Sequence, residues 1–490
     1  MASTGRRPGI RLGLAVCLVS AGCITLPFED RRWLELRTRH YDIVSSLDAN
    51  ATAALARDTE HFRRAAEYVL GRPIPPPPIR TRIYAFDGRS VRRPFDVGGE
   101  PSYLLPRLRG DVIVLRGGGG WADATTALRL RYARRLFRAA GSLELPLWYD
   151  EGFPQLASTL QVRGDDADVG IFREDHVRLL RAQPWVPIDR VLGASDLEGW
   201  SASARERFEA ESWVLAHYLG IDRGSRVGTD AGPSRYLAML RRGDTAAEAA
   251  DATFGGSLDR ELHRYVRGRE LDSIRIALPS DAAIADATPR ALSRDEVFAA
   301  LGSLSLALGR ARNAMKYFGD GSEVAQVEAG VGVARALEGR DEDAEVWFAK
   351  ALSIAPDDPF IHLDYGNLQR ARALASTEGS ARTRLAALAR EHYRRSLELD
   401  DSIPETHFML GGTYLIEGQD ARRGIAHSER AQALLPASLE VRLLRARLEL
   451  KLGNRYAARA EAVEVLSRGR RRETLAAARA LIEQISTPEP

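Results

Sequence analysis

The rhythm of apolar and polar positions changes along this chain. In the first half, short apolar runs bounded by turn residues alternate with helical stretches. Tyr41–Ser45 (YDIVS), Thr81–Phe86 (TRIYAF) and Asp111–Leu115 (DVIVL) have the β-branched, aromatic-rich character of strands. Between the first two, an alanine-rich pattern predicts a helix over Ala51–Leu70; Gly71 ends it and Pro73–Pro78 forbid its continuation. After Gly120 the period becomes helical, with helices expected at Ala124–Ala140, Trp148–Leu160, Glu174–Arg181, Ala204–Leu219, Ser234–Arg241 and Asp259–Leu271. Strands first and helices after predict an α+β domain over residues 33–276. Residues 277–292 are small, polar and proline-punctuated, and read as a linker.

From 293 to 490 the strand signal disappears, and Ala, Leu, Arg and Glu dominate with a helical period. A spaced set of small and aromatic residues recurs. Leu301-Gly302, Gly309, Ala314 and Phe318 form one copy, and Gly332, Gly339, Ala344, Phe348, Ala351 and Pro356 the next. Tyr365-Gly366, Ala389, Tyr393 and Leu397 form a third, stretched by an insertion near Ser376–Ser380. Leu410-Gly411, Tyr414, Gly418, Ala431 and Pro436 form a fourth; Leu444, Leu448, Gly453 and Ala457 form a weaker fifth. Residues 473–485 are expected to be a terminal capping helix. This pattern resembles the tetratricopeptide repeat, in which small residues let paired helices approach, an aromatic fills the gap to the next pair and a proline ends the second helix. The resemblance implies an all-α solenoid with a groove that takes an extended peptide or a helix of a partner protein. Arg335, Gln369 and Arg445 are candidate groove residues.

Composition narrows the classes. An apolar fraction of 44% excludes wholesale disorder. Two cysteines exclude a disulfide-rich scaffold and a cysteine-based structural zinc module. The net charge of +3 is carried by Arg6, Arg7 and Arg11, since residues 1–22 hold no acid; the remaining 67 basic residues face 67 acidic ones. No net basic surplus is left to argue for nucleic acid as a partner.

Those basic residues open a segment of signal-peptide type: a charged start, a short apolar stretch from Leu12 to Ala21, then small residues. Val19-Ser20-Ala21-Gly22-Cys23 resembles a bacterial lipoprotein box, although Ser20 stands where the family prefers Leu, Val or Ile. The resemblance implies a signal over 1–22, diacylglyceryl attachment at Cys23 and a lipid-anchored tether over 23–32. Ser20 and Gly22 also suit ordinary signal peptidase cleavage. Either route exports the protein; the lipid route places it in the bacterial envelope, facing the periplasm, at the outer membrane in the absence of a retention Asp after Cys23.

The first domain carries a second resemblance. Pro146-Leu147-Trp148-Tyr149-Asp150-Glu151-Gly152-Phe153 resembles the P-x-W-x-x-E-G signature of gluzincin metallopeptidases, in the form of the peptidase-MA-like domain of bacterial exported proteins. Trp33–Ser45 resembles that family's opening strand, Phe208–Tyr218 (FEAESWVLAHY) its F-x-x-x-S-W-x-L-x-H-Y helix, and Thr253-Phe254-Gly255 its closing element. The family needs H-E-x-x-H on the preceding helix: two histidines on one helical face bind zinc, the glutamate between them is the general base, and the later glutamate is the third ligand. Here Leu130, Arg131, Tyr132, Ala133 and Arg134 occupy that stretch, and no histidine lies between His61 and His176. Only Glu151 is retained. The resemblance therefore implies an inactive peptidase with no cofactor. A carboxylate left without its metal needs a partner if buried. Arg134 is the first candidate and Arg131 the second; alternatively Glu151 is simply favoured in the first turn of its helix.

Other chemistry is sparse. PIPPPP reads as a stiff connector or as a ligand for a proline-reading partner, and Gly117–Gly120 as a flexible turn lacking the residues of a phosphate loop. His217 reads as a satisfied core histidine, His263 as a surface one, and Asp165–Asp168 as a solvated acidic turn. No G-x-S-x-G elbow is present. The sequence thus points to an envelope-anchored interaction scaffold, with an exported hydrolase using Glu151 and other ligands as the alternative.

Overall fold

The computed structural model describes residues 32–487, except for 89–94, 98, 101, 118–120, 122–123, 141–144, 198, 223–232, 269–272, 279–287, 320–321, 417–418 and 470–471. The signal segment, Cys23, most of the expected tether and Gly118–Gly120 lie outside the described residues.

Five strands of the first domain and one later segment build a mixed sheet. These are β1 (Leu34–Arg37), β2 (Tyr41–Ser45), β3 (Thr81–Phe86), β4 (Tyr103–Leu105), β5 (Val112–Arg116) and, after the others named below, β9 (Arg290–Ala291). Their order is β4-β5-β3-β2-β1-β9. β2, β3 and β5 run parallel, with Ile43, Ile83 and Ile113 in one row and Val44, Tyr84 and Val114 in the next. The parallel step from β2 to β3 requires a crossover, and α1 (Ala49–Leu70) supplies it. Asp48 caps α1 by accepting from the Ala51 amide at 2.8 Å, and Gly71 closes it at φ 72°, in the left-handed region. Trp33–Ser45 is therefore not one strand but a tight antiparallel pair, β1 with β2.

The two faces of this sheet meet different partners. Ile43, Ile83, Ala85, Ile113 and Leu115 pack into the helical core with Leu55, Phe62 and Ala66 of α1. The core also takes α2 (Thr126–Ala139), α3 (Leu147–Ser158), α4 (Glu174–Ala182), α5 (Ile188–Leu192) and α6 (Ala202–His217). β6 (Gln161–Arg163), β7 (Asp166–Val169) and β8 (Ile274–Ala277) form a small antiparallel sheet at its edge. α7 (Pro233–Arg242), α8 (Ala246–Phe254) and α9 (Leu258–Arg267) complete the domain. α8 escaped the periodicity reading because alanines on all sides leave it without a clear apolar period. Its start was legible, for Thr245-x-x-Glu248 forms a full capping box.

The C-terminal region consists of successive helix pairs: α10 (Arg294–Ala307) with α11 (Ala311–Phe318), α12 (Ala325–Leu337) with α13 (Asp341–Ile354), α14 (Pro359–Ala375) with α15 (Gly379–Leu399), α16 (Pro404–Thr413) with α17 (Ala421–Leu434), and α18 (Leu439–Lys451) with α19 (Arg455–Arg468). α20 (Arg472–Ser486) packs Ala478, Leu481 and Ile485 onto the end. The glycine–aromatic spacing has a direct cause. A Cβ at Gly302 would overlap the Phe318 ring, one at Gly332 would stand 3.1 Å from Phe348, and one at Gly366 would stand 2.7 Å from Tyr393. The extra residues of the third copy do not bulge out as a loop. They lengthen α14 and α15 to 17 and 21 residues.

The array covers the second sheet face. Tyr84 donates its hydroxyl to the Ala300 carbonyl at 3.0 Å, and Phe95 stacks on Tyr317 at 5.9 Å. Val44, Tyr84, Phe86 and Val114 on that face are all buried. Arg290 and Ala291, within the expected linker, pair with Glu35 and Leu34 instead of hanging free. From Arg32 onward the chain forms one compact unit.

Candidate functional site

α2 and α3 lie side by side and carry the residues singled out by the sequence. Thr125 caps α2 by accepting from the Leu128 amide at 3.1 Å. Tyr132 and Ala133 point into the core, and the Tyr132 hydroxyl donates to that of Tyr41 at 2.7 Å. Burial, the largest influence, pushes the Tyr132 phenol up to about 12. Leu130 and Arg134, one turn apart, are half-buried, and Arg131 is exposed.

α3 is buried from Trp148 to Ser158, including Glu151 and Gly152. Gly152 is required by close packing: a Cβ there would overlap the Ser212 carbonyl of α6. The E-G pair therefore sets Glu151 toward α2 while its neighbour lets α6 approach. Arg134 donates from Nη2 to Glu151 Oε2 at 2.5 Å, with the glutamate side chain 3% exposed and the arginine 18%. One turn on, Arg138 donates to Asp150 at 2.8 Å. Arg134 and Arg138 thus form a two-rung ladder with α3; Asp150, in the first turn, is also favoured by the helix dipole, and Glu151 lies just past that turn. Arg134, rather than Arg131, is the partner of Glu151.

A guanidinium this close leaves no room at that carboxylate oxygen for a divalent cation, and like charges there repel strongly. Among the described residues, no cluster of three His, Cys, Asp or Glu side chains has metal-binding geometry. Arg138 and Asp150 line a cleft of about 790 Å³ between the first domain and the end of the array; Leu466 and Leu475 close its far wall, and Glu151 does not line it.

The other candidates are structural. His217 is fully buried, with Nδ1 2.8 Å from the Tyr265 hydroxyl and Nε2 2.8 Å from the Gly170 carbonyl. His176 meets Gln155 at 2.6 Å, and burial lowers it to about 4. His263 is half-buried, its ring 4.1 Å from that of Trp185, rather than free on the surface. Of Asp165–Asp168, only Asp165 is an exposed turn residue. Asp166–Val169 is strand β7, and Asp168 is held by Arg275 at 2.8 Å and Arg163 at 3.0 Å. Of the three groove candidates, Gln369 is buried and donates to Glu345 at 2.7 Å, so it is a contact between helices. Arg335 pairs with Glu338, the residue that caps the end of its helix, at 3.1 Å, and Arg445 stands 3.6 Å from Glu461.

One cluster had no sequence signal. Arg109, in the loop between β4 and β5, reaches α14 and α16 and makes bidentate contacts to both Asp364 and Glu405 at 2.6–3.3 Å. Burial opposes the Arg109 charge, but the two carboxylates outweigh it and raise its pKa. Burial likewise opposes the Glu405 charge, and Arg109 overcomes it, lowering that pKa. The partners are 255 and 296 residues apart in sequence, so no local pattern announces them.

Among solved structures, the crystal structure of TTC0263, a thermophilic TPR protein in Thermus thermophilus, is similar at 15% identity with a TM-score of 0.35, covering 39% of this chain and 99% of that chain. No family model matches the sequence. No curated protein matches it. The helix-pair array is therefore established by the chain's own contacts.

Proposed function

We propose that the chain is a non-enzymatic interaction scaffold of the bacterial envelope. In this reading an inactive gluzincin-like domain is joined to a tetratricopeptide-type array, and the whole is tethered by a lipid at Cys23. The observation that carries it is the buried Arg134–Glu151 ion pair between α2 and α3, a cation on the one glutamate that the resemblance would make a zinc ligand. In this reading the chemistry between the two helices is exchanged for a structural link. The repeat spacing of the array supports a protein partner. At Asp364 and Glu405 the first helices are already occupied by Arg109 of the same chain, so a partner meets the array elsewhere.

Four measurements test this reading. Zinc retained after dialysis against chelator, together with peptidase turnover, would be measured in the native chain and in Glu151→Ala. The scaffold predicts no turnover in either and no zinc that depends on Glu151; both properties present in the native chain and lost in the variant would overturn it. Crosslinking in cells followed by mass spectrometry identifies the partner, and Cys23→Ser moves the protein out of the membrane fraction if the anchor is a lipid.

A further inference from the structure

The array contains four histidines, and the fold joins them in two pairs across helices. His362 of α14 faces His392 of α15, Nδ1 to Nδ1 at 3.2 Å. His407 of α16 faces His427 of α17 in the same way at 3.3 Å. Ring centroids are 5.5 Å apart in both pairs, with interplanar angles of 33° and 34°.

The two pairs are built alike in detail. Each first-helix histidine is the fourth residue of a helix opened by proline, Pro359 or Pro404. Its Nε2 lies 3.0 Å from the Pro356 carbonyl or 3.1 Å from that of Asp401. A carbonyl only accepts, so the ring proton sits on Nε2 and Nδ1 presents a lone pair to the facing ring. Such a bond from the second ring nitrogen to a carbonyl is also what orients a metal-bound histidine. An arginine three residues after each second-helix histidine pairs with an aspartate before the first helix, Arg395 with Asp357 at 2.6 Å and Arg430 with Asp401 at 3.3 Å. His362, His392 and His427 are half-buried, which leaves the pairs open to small solutes.

The separation matters. Two imidazole nitrogens at the usual ~2.0–2.1 Å from one tetrahedral ion stand about 3.3–3.4 Å apart. Both pairs match that nitrogen spacing; with the ring centroids 5.5 Å apart each Nδ1 points almost straight at the other, so each ring turns by about 35° to aim its lone pair at the ion. We propose that each pair is a two-imidazole site for a divalent transition-metal ion of the zinc, nickel and copper type, giving two sites per chain. Among the described residues no third ligand joins either pair, so water completes the shell and binding is reversible. Without metal, the second-helix ring donates its Nδ1 proton to the facing Nδ1. On binding, that proton moves to its own Nε2, both Nδ1 lone pairs turn to the ion, and no proton is released overall. The ion would tie the two helices of a pair together. His362 is two residues from Asp364 and His407 two from Glu405, so loading would stiffen the part of the array that grips Arg109.

The test uses the full chain without an affinity tag, stripped with chelator and titrated with Ni²⁺ by calorimetry. Two equivalents are expected for the native chain and one each for His392→Ala and His427→Ala, with none for the double variant. His263→Ala and Glu151→Ala should both keep two, which separates this result from the scaffold reading. No uptake by the native chain at millimolar Ni²⁺, or two equivalents retained by the double variant, would overturn the proposal. If the alanine variants fail to fold, electron paramagnetic resonance of the Cu²⁺-loaded native chain decides. Coupling to two imidazole nitrogens supports the sites, and its absence overturns them.

Discussion

Glu151 is a buried carboxylate held by a cation from the neighbouring helix. Its carboxylate is buried and bonded to Arg134, so removing the arginine takes away a counter-charge at a desolvated site. Arg134→Ala is expected to lower unfolding free energy by about 2–4 kcal/mol in urea, the low end reflecting the partial exposure of the pair. Adding Glu151→Gln should recover most of that loss, because a neutral amide needs no counter-charge. Glu211 makes a pH prediction. Burial, partly offset by the Val186 amide at 2.7 Å, raises its carboxyl to about 8, whereas an unfolded glutamate titrates near ~4.3. Between those values the unfolded chain releases a proton that the folded chain keeps, so this group's support is complete below the lower value. It drains away as pH rises through the upper one. Glu211→Gln should preserve the bond from Val186 and raise the melting temperature at pH 8 by about 2–5 °C, with the gain vanishing near pH 4.

At the scale of elements, close approach explains the small residues. Gly366 lies against Tyr393, so Gly366→Ala should cost about 1–3 kcal/mol by overpacking. Gly379, at the start of α15, provides the contrast, because a Cβ there would meet nothing within 4 Å. Gly379→Ala should be neutral or stabilising by up to about 1 kcal/mol, measured by the same denaturant titration. The helices of the array were legible because apolar period, glycine and aromatic all repeat together. The long strands β2, β3 and β5 were legible from their apolar runs. The short strands β4, β6 and β9 were not, since two or three residues carry no period and depend on a neighbour to pair with.

The whole molecule is held by contacts between halves that the sequence presents as separate. Arg109 between Asp364 and Glu405 is the most charged of them. Arg109→Ala leaves two carboxylates on the array without their cation, and should lower the melting temperature and speed limited proteolysis between the halves. Residues 33–278 expressed alone should bind a hydrophobic dye and aggregate. The sheet face formed by Val44, Tyr84, Phe86 and Val114 would lose the cover that α10 and α11 supply. A soluble fragment of native melting temperature would contradict this.

The sequence by itself determined the parts that depend on neighbouring residues. These are the central strands and the helix pairs with their glycine–aromatic contacts. Only the tertiary structure decided what depends on distant ones: that Arg134 rather than Arg131 takes Glu151, that the array covers the sheet, and that four histidines meet in two pairs. Local spacing fixes which side chains share a helix face. Which face meets which partner is fixed by burial across the whole chain, and that has no local signature.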